Sequence, residues 1–407
     1  MNGSIKLGIV IGTVSILLVM LPTVQKPAQS QGGATEAPAG FDNLTNGHIS
    51  QADFDSFRDD FEEVEGIEQG LGPTFNDTSC RNCHNVPVTG GSGKKIPETR
   101  AGHLDAQGNF VEHPGGSLVQ DQAVNQRIIE HVLPGEDTTK RSSTNTLGNG
   151  FVEAISDATL LGIRDAQPGN IRGLAIFVPI LEGANGATGV GRFGWKDQHA
   201  SLESFSADAY LNEMGITSPL QPTENTSDGN DVSAYDKCCP DPEDVGGVDV
   251  KAFAQFMRAT KVPPRDPLLV DQPDTKAGEQ IFRNLGCDGC HTQTITTAPA
   301  RTVLPGGFIV TPALGNKIIH PYSDYLLHNI GTNDPIVQNG GRATYNMVRT
   351  APLWGLRNRT FYLHDLSAPT VTATIQSHRG QAQASSDAFQ ALSTADKKKL
   401  IQFLDSL

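Results

Sequence analysis

Several widespread signatures of function are missing from this 407-residue sequence. It has no phosphate-binding glycine loop of the Gly-Lys-Ser/Thr type, which argues against a P-loop nucleotide-binding protein. It also has no Ser-His-Asp hydrolase phrase. Basic residues are scarce too, because 31 Lys and Arg stand against 45 Asp and Glu, giving a formal net charge of −14. Such an acidic chain is a poor nucleic-acid binder and suits a basic soluble protein partner, unless the charge only confers solubility.

Long apolar runs are lacking after residue 24. The single run of membrane length, Leu7–Val24, follows Lys6 and precedes Ala28-Gln29-Ser30, where small residues suit a cleavage site. This pattern predicts a secretory signal peptide over residues 1–30, and hence a periplasmic or otherwise exported protein. A retained anchor is the alternative, because 18 residues approach spanning length. Only in that case would the protein be attached to a membrane.

Cysteine is sparse, and four of the six cysteines stand in two copies of one pattern. The copies are Cys80-Arg-Asn-Cys83-His84 and Cys287-Asp-Gly-Cys290-His291. A Cys-x-x-Cys-His pattern is typical of c-type haem attachment. Zinc binding needs four ligands and leaves the repeated histidine unexplained, as does a redox disulfide. We therefore expect two covalently bound haem c groups, with His84 and His291 as the proximal ligands of the iron.

The remaining cysteines, Cys238 and Cys239, are adjacent in the polar stretch "DKCCPDPED". In an oxidising compartment two spare thiols are expected to be oxidised, so a vicinal disulfide is predicted. Strain in a disulfide between adjacent residues does not by itself indicate a redox role.

Two amphipathic helices are predicted on either side of the second motif. In "DTKAGEQIFRNLG" the apolar side chains fall on one helical face, and "STADKKKLIQFLDSL" offers Ser393 or Thr394 as N-cap before an apolar stripe. These helices resemble the first and last helices of cytochrome c domains, which pack together. Residues 267–407 are therefore predicted to form a C-terminal cytochrome c domain.

Four longer phrases carry a family resemblance. They are "GLGPTFNDTSCRNCH", "GRFGWKDQHASLESFSADAYLNEMGITS", "YSDYLLHNIG" and "RTAPLWGLRNRTFYLHD". Together, over residues 50–407, they resemble the bacterial di-haem oxidoreductase family, which is peroxidase-like or thiol oxidoreductase-like and distantly similar to the di-haem cytochrome c peroxidases. The chain departs from the family in the phrases that begin at His364 and His378, where relatives read His-Asp-Gly-Arg-Ala and often His-Gly-Gly-Glu-Ala.

The resemblance implies a mainly α fold with many loops, built from two cytochrome c-like haem domains in tandem. The first domain is expected to be enlarged by insertions with some β structure. The 43 Gly and 25 Pro agree with many loops. The predicted parts are an N-terminal haem domain over residues 41–235, a connector with Cys238-Cys239 over residues 236–266, and the C-terminal domain over residues 267–407.

The resemblance also implies a peroxidase-like c-type cytochrome oxidoreductase, with one haem for electron entry and one for peroxide reduction. Reducing hydrogen peroxide takes two electrons, and each iron supplies one at a time, so two irons in one chain give a route. A small soluble protein would donate the electrons, and peroxide or another small oxidant would accept them. The alternatives are a non-catalytic di-haem electron-transfer protein and a protein- or thiol-oxidising enzyme on the same scaffold.

Distal haem ligands have several candidates. For the second haem they are Met347 and His328, and a Met ligand would raise the haem potential, whereas a core Met is the alternative. For the first haem they are His103, His113 and His131, each of which is also explained as a surface or hydrogen-bonded histidine.

Further roles follow from the resemblance. Glu213 in "LNEMG" is similar to the acid that moves a proton during peroxide cleavage in the peroxidases, although a solvated helix-end Glu is the alternative. Trp195 and Trp354 are candidates for an electron relay between the haems, or for core packing. Arg192 and Arg349 lie near them in sequence and suit haem propionates. A calcium ion between the domains is an expectation from the peroxidase relatives.

Overall fold

The computed structural model describes residues 33–93 and 97–407, besides residues 1 and 3. Contacts divide the chain into Met1–Gly33 and one compact unit, Ala34–Leu407, which contains all the described helices and strands. The predicted signal peptide, apart from residues 1 and 3, lies outside the described residues. Within the described ranges, no helix combines the length and the apolar character needed to cross a bilayer.

Ten α-helices lie in the described part of the chain. They are α1 (Gln51–Glu62), α2 (Cys80–Cys83), α3 (Asn149–Glu153), α4 (Asp157–Ala166), α5 (Leu202–Met214), α6 (Val248–Ala259), α7 (Pro273–Asn284), α8 (Val371–Ser377), α9 (Gln383–Ala391) and α10 (Thr394–Asp405). Most are short, and long loops connect them, so the predicted mainly α fold with many loops is confirmed.

Twelve short strands form small sheets in the same described residues. They are β1 (Thr35–Glu36), β2 (Thr74–Phe75), β3 (Glu98–Leu104), β4 (Phe110–Glu112), β5 (Gln122–Ala123), β6 (Asp137–Arg141), β7 (Phe177–Pro179), β8 (Thr188–Val190), β9 (Ile295–Thr296), β10 (Lys317–Ile319), β11 (Leu327–His328) and β12 (Val348–Arg349). The longest sheet is antiparallel in the order β4-β3-β6, with Gly102 of β3 opposite Glu112 of β4 and Asp137 of β6.

The larger core is built around α1, α5 and α6, which pack on one another. Helix α1 begins after Ser50, whose hydroxyl accepts a hydrogen bond from the amide of Asp53 at 3.1 Å and so caps the first turn. Its inner face buries Phe54 and Phe61. The core also contains Trp354 from the C-terminal part of the chain, so the hydrophobic interior is continuous across the predicted domain boundary.

The stretch predicted to be a connector, residues 236–266, contains α6, most of whose side chains are buried in the larger core. Strand β1 likewise pairs in parallel with β10, from the predicted C-terminal domain. The domain boundaries themselves remain a prediction, but these contacts show that the two parts share packed interior.

A second, smaller core lies where α7 and α10 cross. The two helices approach so closely that a Cβ atom added to Gly278 would lie 2.0 Å from the carbonyl oxygen of Lys399. Phe282 and Phe403 meet there, with ring centroids 5.4 Å apart. Helix α10 starts after Ser393, whose hydroxyl accepts from the amide of Asp396 at 3.1 Å. The predicted pair of amphipathic helices and one of the two predicted N-caps are therefore confirmed.

Candidate functional site

The first Cys-x-x-Cys-His motif folds into a single helical turn. Helix α2 spans the two cysteines, and the amide of His84 donates to the carbonyl of Cys80 at 3.0 Å. The His84 ring places Nδ1 at 3.3 Å from the carbonyl oxygen of Gly91. Since a carbonyl only accepts, Nδ1 carries the proton and Nε2 keeps its lone pair. Burial lowers the pKa of His84, which also favours the neutral ring.

The second motif repeats this arrangement. The amide of His291 donates to the carbonyl of Cys287 at 3.0 Å, and Nδ1 of the ring lies 2.8 Å from the carbonyl oxygen of Tyr322. Burial lowers the pKa of His291 to about 4, so the ring is neutral at physiological pH. Both motif histidines are thus oriented by a backbone carbonyl, and the lone pair of Nε2 is left to bind a metal. This is how proteins hold a histidine that ligates a metal.

The first motif opens onto a cavity of about 50 Å³. Its lining includes Cys80, Cys83 and His84 together with Glu213, the predicted acid. Glu213 is half-buried in the last turn of α5, and its backbone carbonyl accepts from the amides of Asn76 and Asp77, which ties it to the approach to the motif.

Two buried thioethers also face this first cavity. They belong to Met214 and Met257, which are 4% and 3% exposed. The sequence did not single them out, because a methionine in an apolar helix is most often core. The three histidines considered for the first haem, His103, His113 and His131, are not among the residues that line the cavity.

The second motif opens onto a larger cavity, of about 180 Å³. Its lining includes Cys287, Cys290 and His291, and also His378, which the sequence did not propose as a ligand. The Nδ1 atom of His378 lies 2.7 Å from the carbonyl oxygen of Thr374, so this ring, too, keeps its lone pair on Nε2.

His378 and His291 interact across the second cavity. Burial is the main cause of the lowered pKa of His291, and the positive form of His378 lowers it further. A signal for His378 was present in the sequence, since it opens a phrase in which relatives also carry a histidine. What the sequence could not supply was its orientation, which depends on the bend between α8 and the following turn.

The two sequence candidates for the second distal ligand differ in position. Met347 packs against a small apolar cluster around Val178 and Leu327 and does not line the cavity. His328 lines it, but Nε2 lies 2.8 Å from a carboxylate oxygen of Asp324 and Nδ1 lies 3.6 Å from Sγ of Cys290. Burial lowers the pKa of His328, but the hydrogen bonds and charges of Asp324 and Cys290 together outweigh it and raise the pKa to about 10. A ring protonated in this way has no lone pair for iron.

Guanidinium groups face the second cavity. Arg349 donates from Nε to the carbonyl of Gly194 at 2.8 Å and lies 3.7 Å from Asp197. Arg359 also lines the cavity, and no carboxylate of the described residues lies within ion-pair distance of it. Burial lowers the pKa of Arg359, and the neighbouring charge of Arg349 lowers it further. An anionic group such as a propionate would relieve this repulsion.

The other predicted arginine is occupied elsewhere. Arg192 is fully buried, forms an ion pair with Asp157 and donates to backbone carbonyls near α3. It lines neither of the two motif cavities.

The two tryptophans have different surroundings. Trp195 lines the second cavity, donates from its indole nitrogen to the carbonyl of Ser142 at 2.7 Å, and meets the ring of His364 edge-on. Trp354 is packed in the larger core, beside Gly148. Core packing therefore accounts for Trp354, whereas Trp195 contacts a candidate cofactor site.

The remaining cysteines behave as their spacing predicts. Cys238 and Cys239 form a disulfide, and the four motif cysteines form none. Unpaired thiols beside two cavities suit thioether attachment better than a redox disulfide. Together, the oriented histidines, the adjoining cavities and the cationic wall of the larger cavity fit haem.

Comparison with known protein families agrees with haem binding. Residues 117–407 match the family described as "Di-haem oxidoreductase, putative peroxidase". This span holds the second motif and begins after the first. No curated protein matches the chain.

Two solved structures share a distant likeness with the chain. One is hydrazine synthase of Kuenenia stuttgartiensis, with 13% identity and a TM-score of 0.41 over 97% of this chain and 100% of that chain. The other is a MauG-like protein associated with microbial copper homeostasis, with 13% identity and a TM-score of 0.43 over 92% of this chain and 93% of that chain. The match to the family covers well over half of the sequence, and the chain belongs to the di-haem oxidoreductase family.

Proposed function

We propose that this protein is an exported c-type cytochrome of peroxidase type, with one haem bound at each Cys-x-x-Cys-His motif. Cys80 and Cys83 would hold the first haem through thioethers, and Cys287 and Cys290 the second. The observation that carries the proposal is that Nδ1 of both motif histidines meets a backbone carbonyl, which leaves Nε2 of His84 and His291 to bind iron. When bound, each haem would supply one-electron redox chemistry and an iron able to react with peroxide.

The packing supports two cytochrome c-like units in tandem. Helices α7 and α10 cross at Gly278 around a core of their own, which is the expected arrangement of a first and a last helix. Helices α1 and α6 enclose the first motif in a similar way, since Phe61 and Phe253 meet beside His84. The larger shared core would then be the interface between the units.

The two sites are suited to different tasks. In the second, His291 and His378 each turn Nδ1 to a backbone carbonyl and line one cavity, so both rings would hold the iron, which suits this site to electron entry. The guanidinium groups of Arg349 and Arg359 would hold the anionic side chains of the cofactor. Trp195, at the wall of this cavity, is the candidate for electron relay.

The first site is suited to peroxide. Glu213 supplies a carboxylate beside His84, and reduction of peroxide to two waters consumes two electrons and two protons. The Glu213 carboxyl would take the proton from one peroxide oxygen and return it to the leaving oxygen. The half-buried position of Glu213 and its tether through Asn76 and Asp77 support this role, because a proton carrier must be held at a fixed distance.

A second candidate function is electron transfer without catalysis. Met214 and Met257 both line the first cavity, and a thioether on the sixth position of the iron would close it to peroxide. The electron donor in either case is proposed to be a small soluble protein with a basic surface, because the chain carries a net charge of −14. Calcium remains a prediction.

Optical spectroscopy of the mature protein tests the proposal. In the oxidised, half-reduced and fully reduced forms, we expect one low-spin haem in all states and a second haem whose Soret band changes when peroxide is added. Two haems that stay low-spin and ignore peroxide in every state would support the electron carrier instead.

The proton role of Glu213 has its own test. A Glu213→Gln variant should keep both haems and still bind peroxide, but should turn over at least about 100-fold more slowly, because general acid–base catalysis contributes about 10²–10⁴-fold. The matched control is Glu63→Gln, an exposed residue near the first motif with the same charge change, which should leave turnover unchanged. Equal turnover in both variants would remove Glu213 from the mechanism.

A further inference from the structure

A histidine away from both haem cavities has an unusual environment. His113 directly follows β4, and its side chain is fully buried. Its Nδ1 atom lies 3.1 Å from both carboxylate oxygens of Glu136. A carboxylate on one ring nitrogen fixes the tautomer so that the other nitrogen, Nε2, carries the lone pair, as in histidines that ligate metals.

The Nε2 atom of His113 has no hydrogen-bond partner, although it is buried. It faces two more carboxylates, with Oδ1 of Asp228 at 3.3 Å and Oε1 of Glu130 at 3.9 Å. Unsatisfied buried polar groups are rare in proteins, so the bare Nε2 atom facing carboxylates indicates a missing partner.

The charges around His113 do not balance. Three carboxylates, of Glu130, Glu136 and Asp228, surround the buried imidazole of His113, and the exposed His131 lies 3.7 Å from Asp228. No Lys or Arg of the described residues lies within ion-pair distance of these carboxylates. Buried charges are normally paired or bind a metal, so a cation at the centre would complete the cluster.

The distances suit a small divalent cation. Metal–ligand bonds of about 2.0–2.1 Å in a tetrahedral zinc site place neighbouring ligand atoms about 3.3–3.4 Å apart. The Nε2–Oδ1 distance of 3.3 Å meets this requirement, and the Glu130 oxygen at 3.9 Å needs only a small side-chain rotation. The three ligand atoms all lie within 4.8 Å of one another.

The donor set selects the class of metal. Calcium and magnesium take oxygen ligands, so an imidazole nitrogen beside two carboxylates argues for a transition-metal ion. We propose that His113, Glu130 and Asp228 bind one divalent transition-metal ion of the zinc type, with Glu136 as the residue that orients His113. None of the four lines either haem cavity, so the site is independent of the proposed peroxidase function.

The fold brings these ligands together from three separate loops. His113 comes from the end of β4, Glu130 from the segment after β5, and Asp228 from a tight turn in which Ser227 and Asn230 exchange backbone hydrogen bonds. Asp228 has φ of +48°, a left-handed conformation that Asn also adopts readily. Asp228→Asn therefore removes one ligand charge without disturbing the turn.

Zinc binding to the haem-loaded protein tests the site. After treatment with EDTA, which leaves covalently bound haem in place, calorimetric titration with Zn²⁺ should show one zinc per chain. Mass spectrometry of the metals should then find one zinc in addition to the haem iron. Asp228→Asn and Glu130→Gln should weaken zinc binding at least tenfold, and Glu136→Gln about 10–100-fold, since it acts through His113.

The control is His103→Gln, on the neighbouring strand β3, which should bind zinc as the wild type does. Unchanged Soret bands in every variant would show that the fold is retained. If the wild type takes up no Zn²⁺, Mn²⁺ or Co²⁺ beyond its haem iron, His113 is only an ion-paired imidazolium and the proposal is wrong. Zinc that binds equally well to Asp228→Asn and Glu130→Gln would also overturn it.

Discussion

His378 is the residue that most clearly distinguishes the second proposed haem site from the first. It shares a cavity with His291, and both rings turn Nδ1 toward a backbone carbonyl. In His378→Ala we expect the second haem to change from low-spin to high-spin, because an alanine cannot fill the sixth position of the iron. Optical and electron paramagnetic resonance spectra of the oxidised protein would detect the change.

The control for this change is His320→Ala, since His320 pairs with Glu36 and lines neither haem cavity. Its spectra should match the wild type. A His378→Ala protein in which the second haem stays low-spin would show that another side chain, such as that of His328, is the distal ligand.

Glu65 links a single residue to the pH dependence of stability. Burial raises the pKa of Glu65 to about 7, and nearby Glu63 adds to the effect. An acid whose pKa is raised on folding binds a proton more tightly when folded, so stability falls as pH rises from about 4.5 to about 7. Glu65→Gln keeps an acceptor for the Tyr210 hydroxyl and removes the buried charge.

We therefore expect Glu65→Gln to be more stable than the wild type at pH 8, by up to about 3.5 kcal/mol, because the pKa rises from 4.5 to about 7 and each pKa unit corresponds to about 1.4 kcal/mol. The difference should vanish near pH 3.5, where Glu65 is neutral in both states. Urea unfolding at the two pH values measures it. An equal difference at both would show that the effect does not come from titration of Glu65.

Among the elements, the crossing of α7 and α10 is defined by one glycine. A methyl group at Gly278 would lie 2.0 Å from the backbone oxygen of Lys399, and backbone cannot move aside as a flexible side chain can. Gly278→Ala should destabilise the protein by about 1–3 kcal/mol, the usual effect of overpacking. Thermal or urea unfolding of the haem-loaded protein measures the loss.

Gly162 in α4 supplies the matched control. It is exposed, and nothing lies within 4 Å of an added Cβ atom. Gly162→Ala should therefore stabilise the protein by about 0.5–1 kcal/mol, because alanine loses less backbone entropy in a helix. If both substitutions stabilise, the close approach of α7 and α10 does not govern this core.

The elements around the second motif could be predicted because local signals determine them. The apolar face ending at Phe282 and the cap at Ser393 are readable from residues three or four positions apart. The Gly278 contact was not readable, since it depends on the angle at which two distant helices cross. For the same reason α6 went unrecognised among the polar residues that precede it, and its role emerges only from its packing on α1 and α5.

The site shows the same division between local and distant information. Each motif places its two cysteines and its histidine, the residues proposed to hold a haem, within five consecutive residues, so spacing alone points to them. Distal partners come from segments far away in sequence, so the sequence could not choose between Met347 and His328 and did not propose His378. The His113 cluster combines three loops, and the sequence gives no spacing from which it could be found.

The whole molecule carries an excess of 14 negative charges, which affects how it meets an electron donor. Opposite charge speeds association, and salt screens this attraction over a Debye length of about 10 Å at 0.1 M ionic strength. With a basic soluble cytochrome as donor, the second-order rate of reduction should fall at least about tenfold as the ionic strength rises from 0.01 to 0.5 M. With an acidic cytochrome it should rise over the same range.

Stopped-flow reduction of the oxidised protein at several ionic strengths distinguishes these outcomes. A neutral small-molecule reductant serves as the control, because its rate should not respond to salt and any change would report on the haems themselves. If the rates with basic and acidic donors depend on salt in the same way, the negative charge serves solubility and does not select the partner. If the rate falls with salt for the basic donor alone, the electric field of the whole protein steers that donor toward the haem that receives electrons.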